Sequence, residues 1–182
     1  FMPRIELLSI DSIPFDGIFI AIAGFEDRGF SFINSLLRQD KKFVDTIGIE
    51  YLPYNIRNRI AELKQNLSRI TINPTLWFSY DRFNPEKFEI KFKETKRRWF
   101  GAKNIILDIS GMSKFLIIVI LSLLEDYDGD VHLIYSEAEV YHPTKDEFDS
   151  RRKELPERVP IFLTKDVYRI ITTTSLSSIS MQ

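Results

Sequence analysis

Residues 17–24 read GIFIAIAG, an unbroken apolar run between two glycines. A strand with one face in water alternates apolar and polar side chains, so a run without alternation describes a strand covered on both faces. Two-sided burial requires one helical layer above a sheet and another below it. The following segments supply those helices. FEDRGFSFINSLLRQ carries Phe30, Ile33, Leu36 and Leu37 at helical spacing, with Glu26 and Asp27 expected in the first turn, where the helix dipole favours acids. FVDTIGIEYL (43–52) reads as a second strand. NIRNRIAELKQNLSRI (55–70) reads as a helix capped by Asn55, with Ile56, Ile60, Leu63, Leu67 and Ile70 on one stripe.

TLWFSYD (75–81) is a third strand set off by Pro74, and the next helix opens with Asn84 as cap and Pro85 at its first position. KNIILDI is a fourth strand, SKFLIIVILSLLEDY a buried helix, and DVHLIYSEAEVY a fifth strand. A charged, proline-marked excursion at 142–160 precedes a last strand, DVYRIITTTS. Strands and helices in single alternation imply parallel βαβ units. The expected fold is therefore α/β, a Rossmann-like three-layer sandwich with a mostly parallel sheet of about six strands, forming one domain over residues 1–182. Residues 175–182 read as a frayed end, or as the point where a longer protein was cut; Phe1 ahead of Met2 reads as a tag remnant.

Composition narrows the function classes. Hydrophobic residues make up 44% and charged residues 28% with a net charge of −1, so neither disorder nor a global basic field for duplex nucleic acid is indicated. Cysteine is absent, which removes thiolate nucleophiles and cysteine-ligated zinc and fits a reducing, cytoplasmic setting. Two histidines, His132 and His142, argue against a multi-histidine metal site, and no metal or cofactor is expected. The longest apolar run, residues 115–124, is half the ~20 residues a membrane span needs, and no secretory signal is visible.

In parallel α/β sheets ligands bind outside the carboxyl ends of the strands, near the point where strand order reverses. The residues just past each strand are Gly24 to Arg28; Tyr51, Tyr54 and Asn55; Tyr80, Asp81 and Arg82; DISGMSK (108–114); and Ser136, Glu137 and Glu139. This rim is far more polar than the strands beneath it. DISGMSK stands out because it joins a strand to a helix start, where free N–H groups and the dipole favour an anion. Gly111 permits close backbone approach, Ser110 and Ser113 carry hydroxyls, and Lys114 sits where the dipole gives a cation no help. The plainer alternative has Ser110 capping the helix, Asp108 holding the turn and Lys114 reaching water.

Two further groups are candidates. In GFEDR, Gly24, Phe25, Glu26 and Arg28 are candidate ligand contacts, against the simpler reading of Glu26 and Asp27 as dipole partners. Glu137 and Glu139 share one side of an extended segment, facing either a pocket or solvent. The basic run KETKRRWF reads as the solvated end of a helix.

ILDISGMSK followed by a long apolar helix resembles the signature of CARF domains, the CRISPR-associated Rossmann-like sensors of cyclic oligoadenylates, whose usual form is a hydrophobic strand, D-x-[ST]-G-G-[ST]-K and a helix. Asp108, Ser110, Gly111, Ser113 and Lys114 match in type and spacing; Met112 replaces the second glycine, where a bulky side chain would narrow the approach of a phosphate. The resemblance implies a homodimer with a nucleotide or cyclic oligonucleotide across its two-fold axis, both Lys114 side chains near the phosphates, and Gly24 to Arg28 as the other ligand-contacting loop. Some single-domain members also cleave the ring without metal, with the ribose 2′-hydroxyl as nucleophile.

Three functions follow as expectations. The favoured one is a second-messenger sensor in prokaryotic antiviral defence, with Gly24, Phe25, Glu26, Arg28, Asp108, Ser110, Gly111, Met112, Ser113, Lys114 and Glu137 at the ligand. The alternative is a metal-independent ring nuclease, or a nucleotide or glycosidic hydrolase, using Lys114, Ser110 and Glu26 with rim acids such as Asp27 and Glu137. The third is an interaction domain with no ligand.

Overall fold

The computed structural model describes residues 9–96 and 101–137. The chain divides into two units, Phe1–Ala138 and Glu139–Gln182, and all described residues belong to the first. The expected sixth strand, the excursion at 142–160, the tail at 175–182 and Glu139 lie outside the described residues.

Five strands, β1 (Ile18–Ala23), β2 (Asp45–Leu52), β3 (Leu76–Asp81), β4 (Asn104–Asp108) and β5 (Asp130–Ile134), form one sheet in the order β3-β2-β1-β4-β5. Every pairing is parallel. The connecting helices are α1 (Arg28–Arg38), α2 (Ile60–Arg69), α3 (Pro85–Thr95) and α4 (Lys114–Leu123). The strand order reverses between β1 and β4, so the crevice expected to bind ligands lies above those two strands.

The apolar run of β1 is explained by two separate cores. Ile18, Ile20 and Ile22 join one with Phe88 and Phe92 of α3 and Leu116, Val119 and Ile120 of α4. Phe19, Ala21 and Ala23 join the other with Phe30, Ile33 and Leu36 of α1 and Leu63 and Leu67 of α2. Successive side chains point to opposite faces, so a strand between two helical layers must be apolar at every position. The chain is thus an α/β three-layer sandwich of the Rossmann-like kind.

Three sequence expectations are corrected. Asn55 caps only a 3-10 turn, Ile56–Asn58, and the α-helix starts at Ile60. Between them Arg59 takes a left-handed φ of 52°, which costs on the order of 1 kcal/mol for a residue with a Cβ and leaves Ile56, expected on the buried stripe, 83% exposed. Arg59 is held there by Asp27 at 2.6 Å, by Glu62 at 2.7 Å and by the ring of Phe30 below its guanidinium at 4.2 Å. Second, Glu26 and Asp27 precede α1 instead of occupying its first turn, and each meets an arginine. Third, α4 buries one stripe, Leu116, Val119, Ile120 and Leu123, while Leu121 is exposed, so its apolar sequence overstates its burial among the described residues.

One close approach has a measurable consequence. The Trp77 ring lies across Gly48, where a Cβ would come within 2.3 Å of the indole. Gly48→Val should lower the unfolding free energy in urea by about 1–3 kcal/mol through overpacking. Gly101→Ala, with open space around its Cβ, serves as the control and should change nothing.

Candidate functional site

The rim at the carboxyl edge is knitted together by contacts between loops. Gly24 and Gly29, either side of the β1–α1 loop, face the β4–α4 turn, and a Cβ on either would lie 3.5 Å from Gly111, at ordinary contact distance. Asp27 of the same loop meets Arg59 of the β2–α2 connection. Arg28 binds Glu26 and also reaches the Tyr135 hydroxyl past β5 at 3.3 Å. Tyr51, near the end of β2, accepts the Ser113 amide at 2.6 Å.

The seven residues of DISGMSK separate into a buried half and an exposed half. Asp108 is 2% exposed; its Oδ1 accepts the Ser110 amide at 3.0 Å and its Oδ2 is buried without a partner among the described residues. Burial pushes the Asp108 carboxyl up to about 6, against the lowering effect of the Ser110 side chain and amide. Ser110 is 1% exposed and its hydroxyl oxygen accepts the Ser136 amide at 2.8 Å, which ties the turn to the segment leaving β5. It is neither the helix cap nor a hydroxyl presented at the rim, as either sequence reading had it. Ser113 is the cap: its backbone is extended and its Oγ accepts the Leu116 amide at 3.3 Å. Met112 is 9% exposed and packs in the core beneath α4, so its side chain does not stand over the helix start as expected from the missing glycine.

Ser113 and Lys114 are exposed. Lys114 is the first residue of α4 and has no ion-pair partner among the described residues. The amides of Lys114 and Phe115 have no protein acceptor there, as expected for the first turn of a helix. Of the remaining candidates, Gly24 is buried, Phe25 is exposed, Glu26 and Arg28 pair with each other, and Glu137 is exposed beyond β5. Among the described residues no group of three or more His, Asp or Glu could hold a metal ion, and no helix is long and apolar enough to cross a membrane.

Tyr51 and Tyr80 belong to the rim by their position in the sequence, but only the strand register shows that they are side by side. Tyr51 of β2 pairs with Tyr80 of β3, and their rings meet edge to face with centroids 5.9 Å apart. Tyr80 is fully buried and its hydroxyl has no hydrogen-bond partner among the described residues. Burial raises both phenols above their ordinary value. Exposed apolar side chains gather on the same edge, with Phe25, Leu52, Tyr54, Ile56, Phe83 and Tyr135 in or beside the loops that follow β1, β2, β3 and β5.

No family model matches the chain, and no curated protein does. Among solved structures, one described as the crystal structure of a hypothetical protein, PH0823, aligns with a TM-score of 0.38 and 10% identity, over 69% of this chain and 100% of that one.

The buried carboxyl of Asp108 makes stability depend on pH in a defined direction. With a folded pKa of about 6 against an ordinary 3.8, the folded protein holds this proton more tightly than the unfolded chain does. Ionisation of Asp108 therefore removes stability as pH rises from about 4 to about 6, by up to about 3 kcal/mol. Asp108→Asn should remove this slope. The difference in urea stability between the variant and the parent should shift in favour of the variant across that interval and level off above it.

Proposed function

We propose that this chain is a nucleotide-binding sensor domain whose ligand seats a phosphate at the N-terminus of α4, above the sheet's carboxyl edge. The ligand is a second messenger of the cyclic oligoadenylate kind, and the protein acts as a cytoplasmic homodimer in prokaryotic antiviral defence. The reading rests on the family resemblance of DISGMSK and on one structural observation. Lys114, exposed and without an ion-pair partner among the described residues, stands at the first position of α4 beside two amides that have no acceptor among those residues either. A cation at a helix N-terminus is repelled by the dipole, and an anionic ligand turns that arrangement into a favourable one.

Binding is preferred to hydrolysis because two of the rim acids a hydrolase would use already have cationic partners: Glu26 meets Arg28, and Asp27 meets Arg59. Asp108, the carboxyl with a raised pKa, is buried under the turn and not presented on the rim.

A thermal-shift screen of the full chain against cyclic oligoadenylates, cyclic dinucleotides and mononucleotides tests this. A ligand at ~100 times its dissociation constant adds about 2.7 kcal/mol of stability, a shift of several degrees. Lys114→Ala should weaken the ligand found by about tenfold, consistent with loss of one charge-assisted contact. Absence of a shift with every nucleotide would overturn the sensor reading, and unchanged affinity in Lys114→Ala would remove DISGMSK from the site.

A further inference from the structure

The backbone at Arg59 is strained where the sequence around it favours a helix. Asn55 is a helix cap by type and by contact, since its side chain accepts the Arg57 amide at 2.9 Å. A helix running on from that cap would carry Ile56 one turn ahead of Ile60, on the stripe that Leu63 and Leu67 continue. Instead the turn after Asn55 is 3-10, Arg59 takes a φ of 52°, and α2 begins only at Ile60. This arrangement has two costs. A residue with a Cβ sits in the left-handed region, and Ile56 is 83% exposed beside a core that holds Ile60 and Phe30. The contacts of the Arg59 guanidinium oppose those costs. Glu62 does not discriminate, because residues three apart also meet on a continuous helix. Asp27 at 2.6 Å and the Phe30 ring at 4.2 Å are the contacts peculiar to the broken form. The Asp27 side chain is 98% exposed, and a surface ion pair contributes little; a cation over a ring adds a comparable amount. Costs and contacts are thus of similar size, which is the condition for two populated states.

We infer that Arg59 is a conformational latch: held by Asp27 and Phe30 it keeps α2 broken, and released it lets α2 extend by one turn to Ile56. In the released form Arg59 takes helical backbone angles, Asn55 caps the whole helix, and Ile56 turns toward the ring that the guanidinium now covers. The two forms present different surfaces at the carboxyl edge. The latched form shows Ile56 beside the exposed Tyr54 and ties Asp27 of the β1–α1 loop to the start of α2. The released form withdraws Ile56 and frees the Asp27 carboxylate. A partner that takes up Ile56 therefore holds the latch shut, and one that takes up Asp27 opens it. The latch does not depend on which ligand the rim binds.

The chain has no cysteine, so Ile56→Cys introduces a single thiol whose labelling by a disulfide reagent reads the exposure of position 56. Rates are measured in the full chain and divided by the rate of the same variant in urea, which removes differences in intrinsic reactivity. With Arg59 intact the thiol should label freely. Adding Arg59→Ala, which removes the holding contacts and favours helix, should slow labelling about tenfold. Arg59→Gly loses the same charge but tolerates the left-handed backbone, so it should protect the thiol less than Arg59→Ala does. Asp27→Asn, at an exposed position where folding is not at risk, should slow labelling about two- to threefold. Ile72→Cys, 68% exposed in the α2–β3 loop, is the control and should be indifferent to Arg59→Ala. Amide exchange over residues 53–62 should slow in the same variants. Labelling at position 56 that is unchanged in both Arg59→Ala and Asp27→Asn overturns the latch. Equal protection in Arg59→Ala and Arg59→Gly overturns the part assigned to backbone strain.

Discussion

The burial of β1 on both faces is the constraint on which the rest of the structure depends. A central strand with Ile18, Ile20 and Ile22 in one core and Phe19, Ala21 and Ala23 in the other can exist only between two helical layers. Four single-helix connections between parallel strands supply those layers, and they send every strand's carboxyl end to the same edge. The polar loops are gathered there as a consequence of that arrangement. None of them needs a strong local preference of its own to reach it.

Within the rim, short-range contacts decide what each polar residue can do. Arg28 and Arg59 occupy Glu26 and Asp27, and Ser110 is spent on the Ser136 amide. What remains available at the start of α4 is the Lys114 ammonium with the first amides of the helix, while Tyr51, from the end of β2, accepts the Ser113 amide. The β1–α1 loop and the β4–α4 turn lie side by side at Gly24, Gly29 and Gly111. Asp108, sealed beneath, contributes an unfavourable buried charge above pH 6 that the surrounding fold must tolerate.

The layered fold was legible because hydrophobic periodicity reports burial directly: each described strand and helix lies within a segment that its pattern identified. The errors fell where a local signal competes with a tertiary one. Asn55 is a sound cap and does cap a turn, but Arg59, drawn to Asp27 and Phe30, breaks the helix and exposes Ile56. Ser110 and Ser113 are alike in sequence; the cap fell to Ser113 because Ser110 was pulled below the surface by contacts with Asp108 and Ser136. Met112 reads as an obstacle beside a glycine and is instead a core residue, since the turn directs it under α4.

The amino-acid sequence by itself determined the parallel α/β sandwich, the carboxyl edge as the polar edge, and the place of DISGMSK at a helix start, because each follows from the order and period of apolar residues along the chain. Tertiary structure alone decided which polar groups meet. Tyr51 and Tyr80 are separated by the α2 connection and become neighbours only through the pairing of β2 with β3, and Tyr51 finds the Ser113 amide only because the β4–α4 turn comes beside the end of β2. Hydrogen bonds between distant segments depend on register to within a fraction of an ångström, and no one-dimensional pattern carries that information.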